Sequence, residues 1–208
     1  HPYQHPDTLQ GVLEIFDDFN GILQNLSGMD QFIFQAGGGA DAAYTMAAVA
    51  RAYWCDKGLL DQRTEMVTSV QAHPCNPATA AAAGFKVVNL PLKDNGYPSL
   101  EALKAAVSDK TALIMINNPD DMGIYNPEIK EWITVAKGSG ALCFYDHANF
   151  NGVMGKLSAR ELGFDACMFM LHKTFGAPKA GGGPAVGAYG CTEELAPYLP
   201  CPVIVKQG

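Results

Sequence analysis

Lys173 follows the apolar run Met168-Phe-Met-Leu171 and His172. An unpaired ammonium held in a dry site is costly unless its pKa falls or the amine is neutralised covalently. An amine on a flexible stem at a strand end can form a Schiff base with a carbonyl. The competing reading is that the strand ends one residue earlier and Lys173 reaches solvent. Asp146 comes straight out of a second apolar run, Leu142-Cys-Phe-Tyr145. Alone, such an aspartate caps the next turn. Beside a Schiff-base lysine it has a sharper use, because a carboxylate paired with a protonated pyridine nitrogen keeps pyridoxal phosphate a strong electron sink.

His73, after the run Met66 to Val70, has the chemistry to lie against an aromatic cofactor or to move a proton, and is equally readable as a structural histidine. Gly37-Gly-Gly39-Ala40 precedes a helix, where backbone N–H groups at the positive helix end can hold a phosphate. It lacks the glycine spacings of dinucleotide and nucleoside triphosphate loops. Asn118 offers a neutral donor to a cofactor hydroxyl or serves as a turn residue before Pro119. Gly181-Gly-Gly183 reads as a close-approach loop or a flexible turn.

These residues stand where the elements of an α/β fold would place them. Apolar residues from Leu9 to Leu26 recur at three- and four-residue spacing, predicting an amphipathic helix closed by Gly28. Phe32 to Gln35 leads into the glycines, and an Ala-rich helix is expected from about Ala40 to Cys55. Short β-favouring runs follow at Glu65–Val70, Phe85–Leu90, Thr111–Ile116, Ala141–Tyr145 and Ala166–Leu171. Helices are expected between them at about Asn76–Ala83, Ser99–Val107, Pro127–Gly138 and Ser158–Leu162. The alternation predicts a three-layer α/β fold, a mainly parallel sheet with helices on both faces. Ligands of such sheets bind beyond the carboxyl ends of the strands, where the residues above lie.

The chain has 208 residues, a net charge of −7 and 48% hydrophobic residues, a core-forming composition. Scattered Lys and Arg on an acidic chain give no footprint for nucleic acid or anionic lipid. No apolar run approaches the roughly 20 residues of a membrane helix. Six cysteines form no CxxC pair and no zinc-ligand spacing, so no metal is expected and free buried thiols in a reducing compartment are. The start at His1, with neither an initiator Met nor a signal segment, reads as a fragment.

Taken together, Leu171-His-Lys-Thr-Phe175 with Gly181-Gly-Gly-Pro184, Tyr145-Asp-His-Ala-Asn149, Ala72-His73 before Asn76-Pro77-Ala78, and Asn118-Pro119 resemble glycine decarboxylase, the P-protein of the glycine cleavage system. The likeness runs along essentially the whole chain, down to the opening His1-Pro-Tyr-Gln4, and is nearest the pyridoxal-bearing subunit 2 of split forms. It implies a fold-type I pyridoxal phosphate-dependent transferase large domain over residues 1–208, without an amino-terminal arm or a carboxyl-terminal small domain. It also implies glycine as substrate, the lipoylated H-protein as aminomethyl acceptor, and oligomerisation, with the other P-protein subunit or the rest of the same chain as partner. The compartment implied is the cytoplasm or the mitochondrial matrix.

By position, the resemblance makes Lys173 the Schiff-base lysine, Asp146 the pyridinium partner and His73 the ring-stacking residue. Gly39-Ala40 becomes the phosphate cradle, Asn118 a ring-hydroxyl contact, and His172 and Thr174 neighbours of phosphate or ring; His73 or His147 would move protons. The chain departs from the family at Gln71-Ala-His-Pro-Cys75, at His147 and at Gly37-Gly-Gly-Ala-Asp41. Another fold-type I enzyme, an aminotransferase or a lyase, stays open beside glycine decarboxylation. So do a non-catalytic homologue and, more remotely, a nucleotide-binding domain.

Overall fold

In the computed structural model, residues 4–179 and 185–206 are described. Helix α1 (Gln10–Ser27) ends where Gly28 takes the left-handed conformation at φ 74°, which glycine adopts without the steric penalty of a Cβ. Strand β1 (Gln31–Ala36) and the Gly37–Gly38 turn feed α2 (Gly39–Asp56). There follow β2 (Glu65–Ser69), α3 (Cys75–Ala82), β3 (Lys86–Leu90), α4 (Leu100–Ala106), β4 (Thr111–Asn117), α5 (Ile129–Gly138), β5 (Leu142–His147) and α6 (Ala159–Leu162). The series closes with β6 (Ala166–Met170), the single turn α7 (Leu171–Thr174) and β7 (Gly187–Cys191).

The seven strands make one sheet in the order β1-β7-β6-β5-β4-β2-β3. Pairings among β2 to β6 are parallel, while β7 runs antiparallel to both β6 and β1. The expected mainly parallel three-layer sheet is therefore observed, with one reversed strand and one early strand that the sequence pattern did not predict. Gly187-Ala-Tyr-Gly-Cys191 is weak in β-formers, and Gly190 is needed because a Cβ there would stand 2.3 Å from the Phe32 ring.

Alternation along β4, β5 and β6 divides the core. Leu113, Met115, Phe144 and Met168 pack with α2, whose inner face is built from Ala42, Ala43, Met46, Ala47 and Ala50. Ile114, Cys143, Tyr145 and Phe169 pack on the opposite face with Leu23 of α1, Leu103 of α4 and Trp132 of α5. The small residues of α2 let that helix lie close over the middle of the sheet, bringing its amino end to the carboxyl ends of the strands. Of the six cysteines, Cys143, Cys167 and Cys191 are buried, but Cys55 and Cys201 are exposed, so the expectation of buried thiols holds for only part of the set. Among the described residues no helix is long and apolar enough to cross a membrane, and no group of His, Cys, Asp and Glu is arranged for a metal.

His147 belongs to the second core. It is 1% exposed, stacks with Phe169 at 5.5 Å and 5°, and meets the Phe150 ring edge-on. Its Nε2 is buried with no hydrogen-bond partner among the described residues. Burial lowers its pKa to about 3, so the folded protein holds it neutral. The unfolded chain takes up that proton near pH 6.5 and the folded chain does not, so this contribution to stability is lost as pH falls below 6.5. In urea unfolding, wild type is expected to lose about 2–3 kcal/mol more than a His147→Phe variant between pH 6.5 and 4.5. Parallel losses in the two proteins would contradict it.

Candidate active site

A cavity of about 330 Å³ opens at the carboxyl ends of the strands, over the α2 face of the sheet. One wall is Gly37, Gly38, Gly39 and Ala40, entering α2. His73 and Cys75 come from the segment joining β2 to α3, Asp146 and Ala148 from the end of β5, and Met168 and Met170 from β6. His172 and Lys173 on α7, with Lys179 and Ala185 beyond it, complete the lining. Residues far apart in sequence meet because parallel strands deliver all their ends to one edge.

Asp146 lies between Asn117 of β4 and Met168 of β6 in the strand register. Its neighbour His147 points into the other core, so the structure removes His147 from the cavity: two successive strand residues cannot share a face. Asp146 is 4% exposed. Burial pushes its carboxyl up, while hydrogen bonds from the Ala148 backbone and from the Asn76 and Asn117 amides oppose that shift. The Ala148 N–H reaches Oδ1 at 2.9 Å and Asn76 Nδ2 reaches Oδ2 at 3.1 Å. These contacts leave the carboxylate well held at the cavity floor.

Lys173 lines the cavity from an exposed helical turn rather than ending a buried strand. The strand stops at Met170, so no dry ammonium is created and the cost invoked for one does not arise. The Asn151 amide donates to the Lys173 carbonyl at 3.2 Å and fixes the turn against the β5–α6 connection. Burial lowers the pKa of His172, and Lys179 and Lys173 add to the effect, which puts the three side chains in one electrostatic neighbourhood. His172 Nδ1 is buried and unpartnered among the described residues. His73 Nδ1 accepts the Cys75 N–H at 3.2 Å, placing the proton of its neutral ring on Nε2.

The glycine loop is shaped for close approach. A Cβ on Gly39 would stand 3.0 Å from Met170 Sδ, and one on Gly187 would stand 2.8 Å from the Gly38 carbonyl oxygen. The amino end of the 18-residue α2 gives the loop a positive pole. The Asp41 carboxylate occupies part of that pole, accepting the Gly37 N–H at 3.1 Å.

Two expected contacts lie elsewhere. Asn118 does not line the cavity: its Oδ1 accepts the Asn126 N–H at 2.8 Å and its Nδ2 donates to the Asn126 carbonyl at 3.3 Å, so its amide holds a loop. Thr174 accepts the Phe150 N–H at 3.1 Å, pinning another loop. Asn117, one residue earlier than expected, is the asparagine that reaches the Asp146 network. Asn76 and Lys179 were also missed, since a lone asparagine or lysine outside a strand end carries no signal in sequence. The expected glycine loop Gly181-Gly-Gly183 lies outside the described residues.

Of the positions departing from the family pattern near His73, Cys75 lines the cavity while Gln71 and Pro74 do not. Its thiol is pushed up to about 12, chiefly by burial and then by the Asp146 carboxylate, with Lys173 opposing. Cys75 is thus a protonated, weakly polar wall at neutral pH.

The aminotransferase class-V family model matches residues 22–200. The chain belongs to that family. Along 204 residues, 98% of its length, it is 45% identical to a protein of Thermococcus onnurineus named probable glycine dehydrogenase (decarboxylating) subunit 2. Similarly named proteins of Pyrococcus furiosus and Thermoplasma volcanium are 44% and 41% identical. The class-V chain covers 40% of the Thermococcus and Pyrococcus relatives and 44% of the Thermoplasma one. In fold it resembles a chain of the SepCysS–SepCysE N-terminal domain complex, with a TM-score of 0.69 and 20% identity over 87% of this chain and 47% of that one. A sphingosine-1-phosphate lyase of Burkholderia pseudomallei gives a TM-score of 0.68 at 16% identity, covering 86% of this chain and 43% of the other. The fold-type I architecture expected from the sequence is the one observed.

Proposed function

We propose that this chain is the pyridoxal phosphate-binding core of an enzyme that decarboxylates glycine and passes the aminomethyl group to the lipoyl arm of an H-protein. The observation that carries the reading is the convergence of Lys173, Asp146, His73 and the Gly37–Ala40 loop on one cavity. The names of the relatives support glycine as substrate and a second subunit as partner. The residues present fit the cofactor: the Lys173 and Lys179 amines, the Asp146 carboxylate and the amino end of α2 line one cavity, and His172 has a buried nitrogen with no partner among the described residues.

When bound, pyridoxal phosphate withdraws electrons from the carbon that loses CO₂. Lys173 would supply the amine that anchors the cofactor in the cavity. Asp146, a buried carboxylate at the cavity floor, would balance the charge of a protonated ring nitrogen. His73, with Nδ1 taken up by the Cys75 N–H, would present its ring and Nε2–H to the cofactor at the cavity. Gly39, Ala40 and the start of α2 would hold the phosphate with backbone N–H groups, helped by the charge of Lys179. His172 completes the polar lining, whereas Asn118 and Thr174 act by holding loops. Cys75, uncharged, excludes water from the wall nearest Asp146.

The test is exchange of labelled bicarbonate into the glycine carboxyl group by the full-length protein loaded with pyridoxal phosphate. Exchange that requires a lipoylated acceptor is expected. Failure to exchange, with turnover of an amino acid and keto acid pair instead, would make the protein an aminotransferase. Cofactor binding without any reaction would make it a non-catalytic homologue.

A further inference from the structure

Asn76 is fully buried, and both hydrogens of its amide are spent. One goes to Asp146 Oδ2 at 3.1 Å and the other to Asn117 Oδ1 at 2.9 Å. The same Asn117 oxygen accepts the His73 backbone N–H at 3.1 Å. A single amide pair therefore joins the carboxylate on the cavity floor to the loop that carries His73, across α3, β4 and β5.

We propose that Asn76, working with Asn117, is the positioning residue for Asp146. The proposal rests on the cofactor reading above, because it is for the cofactor's ring nitrogen that Asp146 must be aimed and charged. A carboxylate this deeply buried takes up a proton unless donors compensate its lost hydration. The Ala148 N–H and the two amides supply that compensation. Asn76 also fixes rotation of the carboxyl group, since Oδ2 is tied by Asn76 while Oδ1 is tied by Ala148. The ionisable groups around Asp146 are His73 from the β2–α3 segment, Cys75 from α3, His172 and Lys173 from α7, and Lys179 beyond it. Cys75 is an uncharged thiol; the Ala148 N–H, the Asn76 amide, His73 and the Asn117 amide, in that order, oppose the upward push of burial on Asp146, and Asn76 is the foremost side chain among them.

The experiment follows the Asp146 carboxyl by carbon-13 NMR through a pH titration of the ligand-free protein, its signal assigned with Asp146→Asn. In Asn76→Ala the carboxyl is expected to bind its proton at least tenfold more tightly, moving the midpoint up by about one pH unit or more. Asn76→Asp, which replaces a donor with a second carboxylate, moves it further. Asn117→Ala gives a shift in the same direction and serves if Asn76→Ala does not fold. An unchanged midpoint in a folded variant overturns the proposal, whatever its melting temperature. Titration of the ligand-free protein separates this result from the cofactor reading: absence of a cofactor adduct in wild type would overturn that reading while the carboxyl shift still reports on Asn76.

Discussion

Lys173→Ala is expected to abolish the borohydride-reducible adduct between the protein and pyridoxal phosphate, and to slow glycine turnover by a factor on the order of 10³ or more. Among the described residues, Lys173 contributes the amine that both lines the cavity and sits on a turn fixed from outside, through the Asn151 contact to its carbonyl. Lys179 shares the cavity, but it belongs to the segment beyond α7 and lacks that fixed turn. The visible spectrum after addition of cofactor, followed by reduction and peptide mapping, provides the check. Wild type should carry the label on the peptide holding Lys173, and Lys173→Ala should carry none. A label on Lys179 in both proteins would transfer the anchoring role and refute the assignment. The phosphate cradle does not involve the lysine amine, so Lys173→Ala should still bind the cofactor reversibly.

Asp146→Asn is expected to retain the adduct on Lys173 yet lose about 10²- to 10⁴-fold in turnover, separating cofactor anchoring from cofactor activation. An amide has nearly the same shape and can still accept the Ala148 N–H, but it carries no charge to balance a protonated ring nitrogen. The amide nitrogen that replaces Oδ2 faces the Asn76 Nδ2–H donor, so the substitution gives up one hydrogen bond as well as a buried charge. The reduced adduct and turnover on the same preparation test the two halves of the statement. Loss of the adduct together with activity would mark Asp146 as structural, and unchanged turnover would remove it from the chemistry.

The contrast between Asp146 and His147 shows how much of this site local pattern can carry. Both residues stand at the end of the same apolar run, and composition treats them alike. Alternation along β5 puts one at the cavity floor and the other in an aromatic cage. The run of apolar residues before Asp146 is buried on both faces, so its hydrophobicity does not reveal which face each side chain takes. Asn117 and Asn118 pose the same ambiguity: a one-residue difference in strand end decides which amide joins Asp146 and which ties down Asn126.

Element positions were more legible than side-chain directions. Three- and four-residue spacing with Gly28 behind it predicts α1 within a residue of its observed bounds, because an amphipathic stripe and a left-handed cap are local signals. The alternation of strands and helices likewise implies a parallel sheet, and the sheet rule places Lys173, Asp146 and His73 at one edge before any coordinates are known. By itself, then, the sequence determined the fold class, the edge of the sheet where chemistry belongs, and most of the residues assembled there. Only the tertiary structure decided that β7 reverses and that Lys173 rides on a helical turn. It also decided that Cys75 is the altered neighbour of His73 that reaches the cavity, and that Asn76 and Asn117 hold Asp146. Periodicity records how a segment meets water or core, whereas these contacts depend on register and face between segments far apart along the chain, which no local pattern encodes.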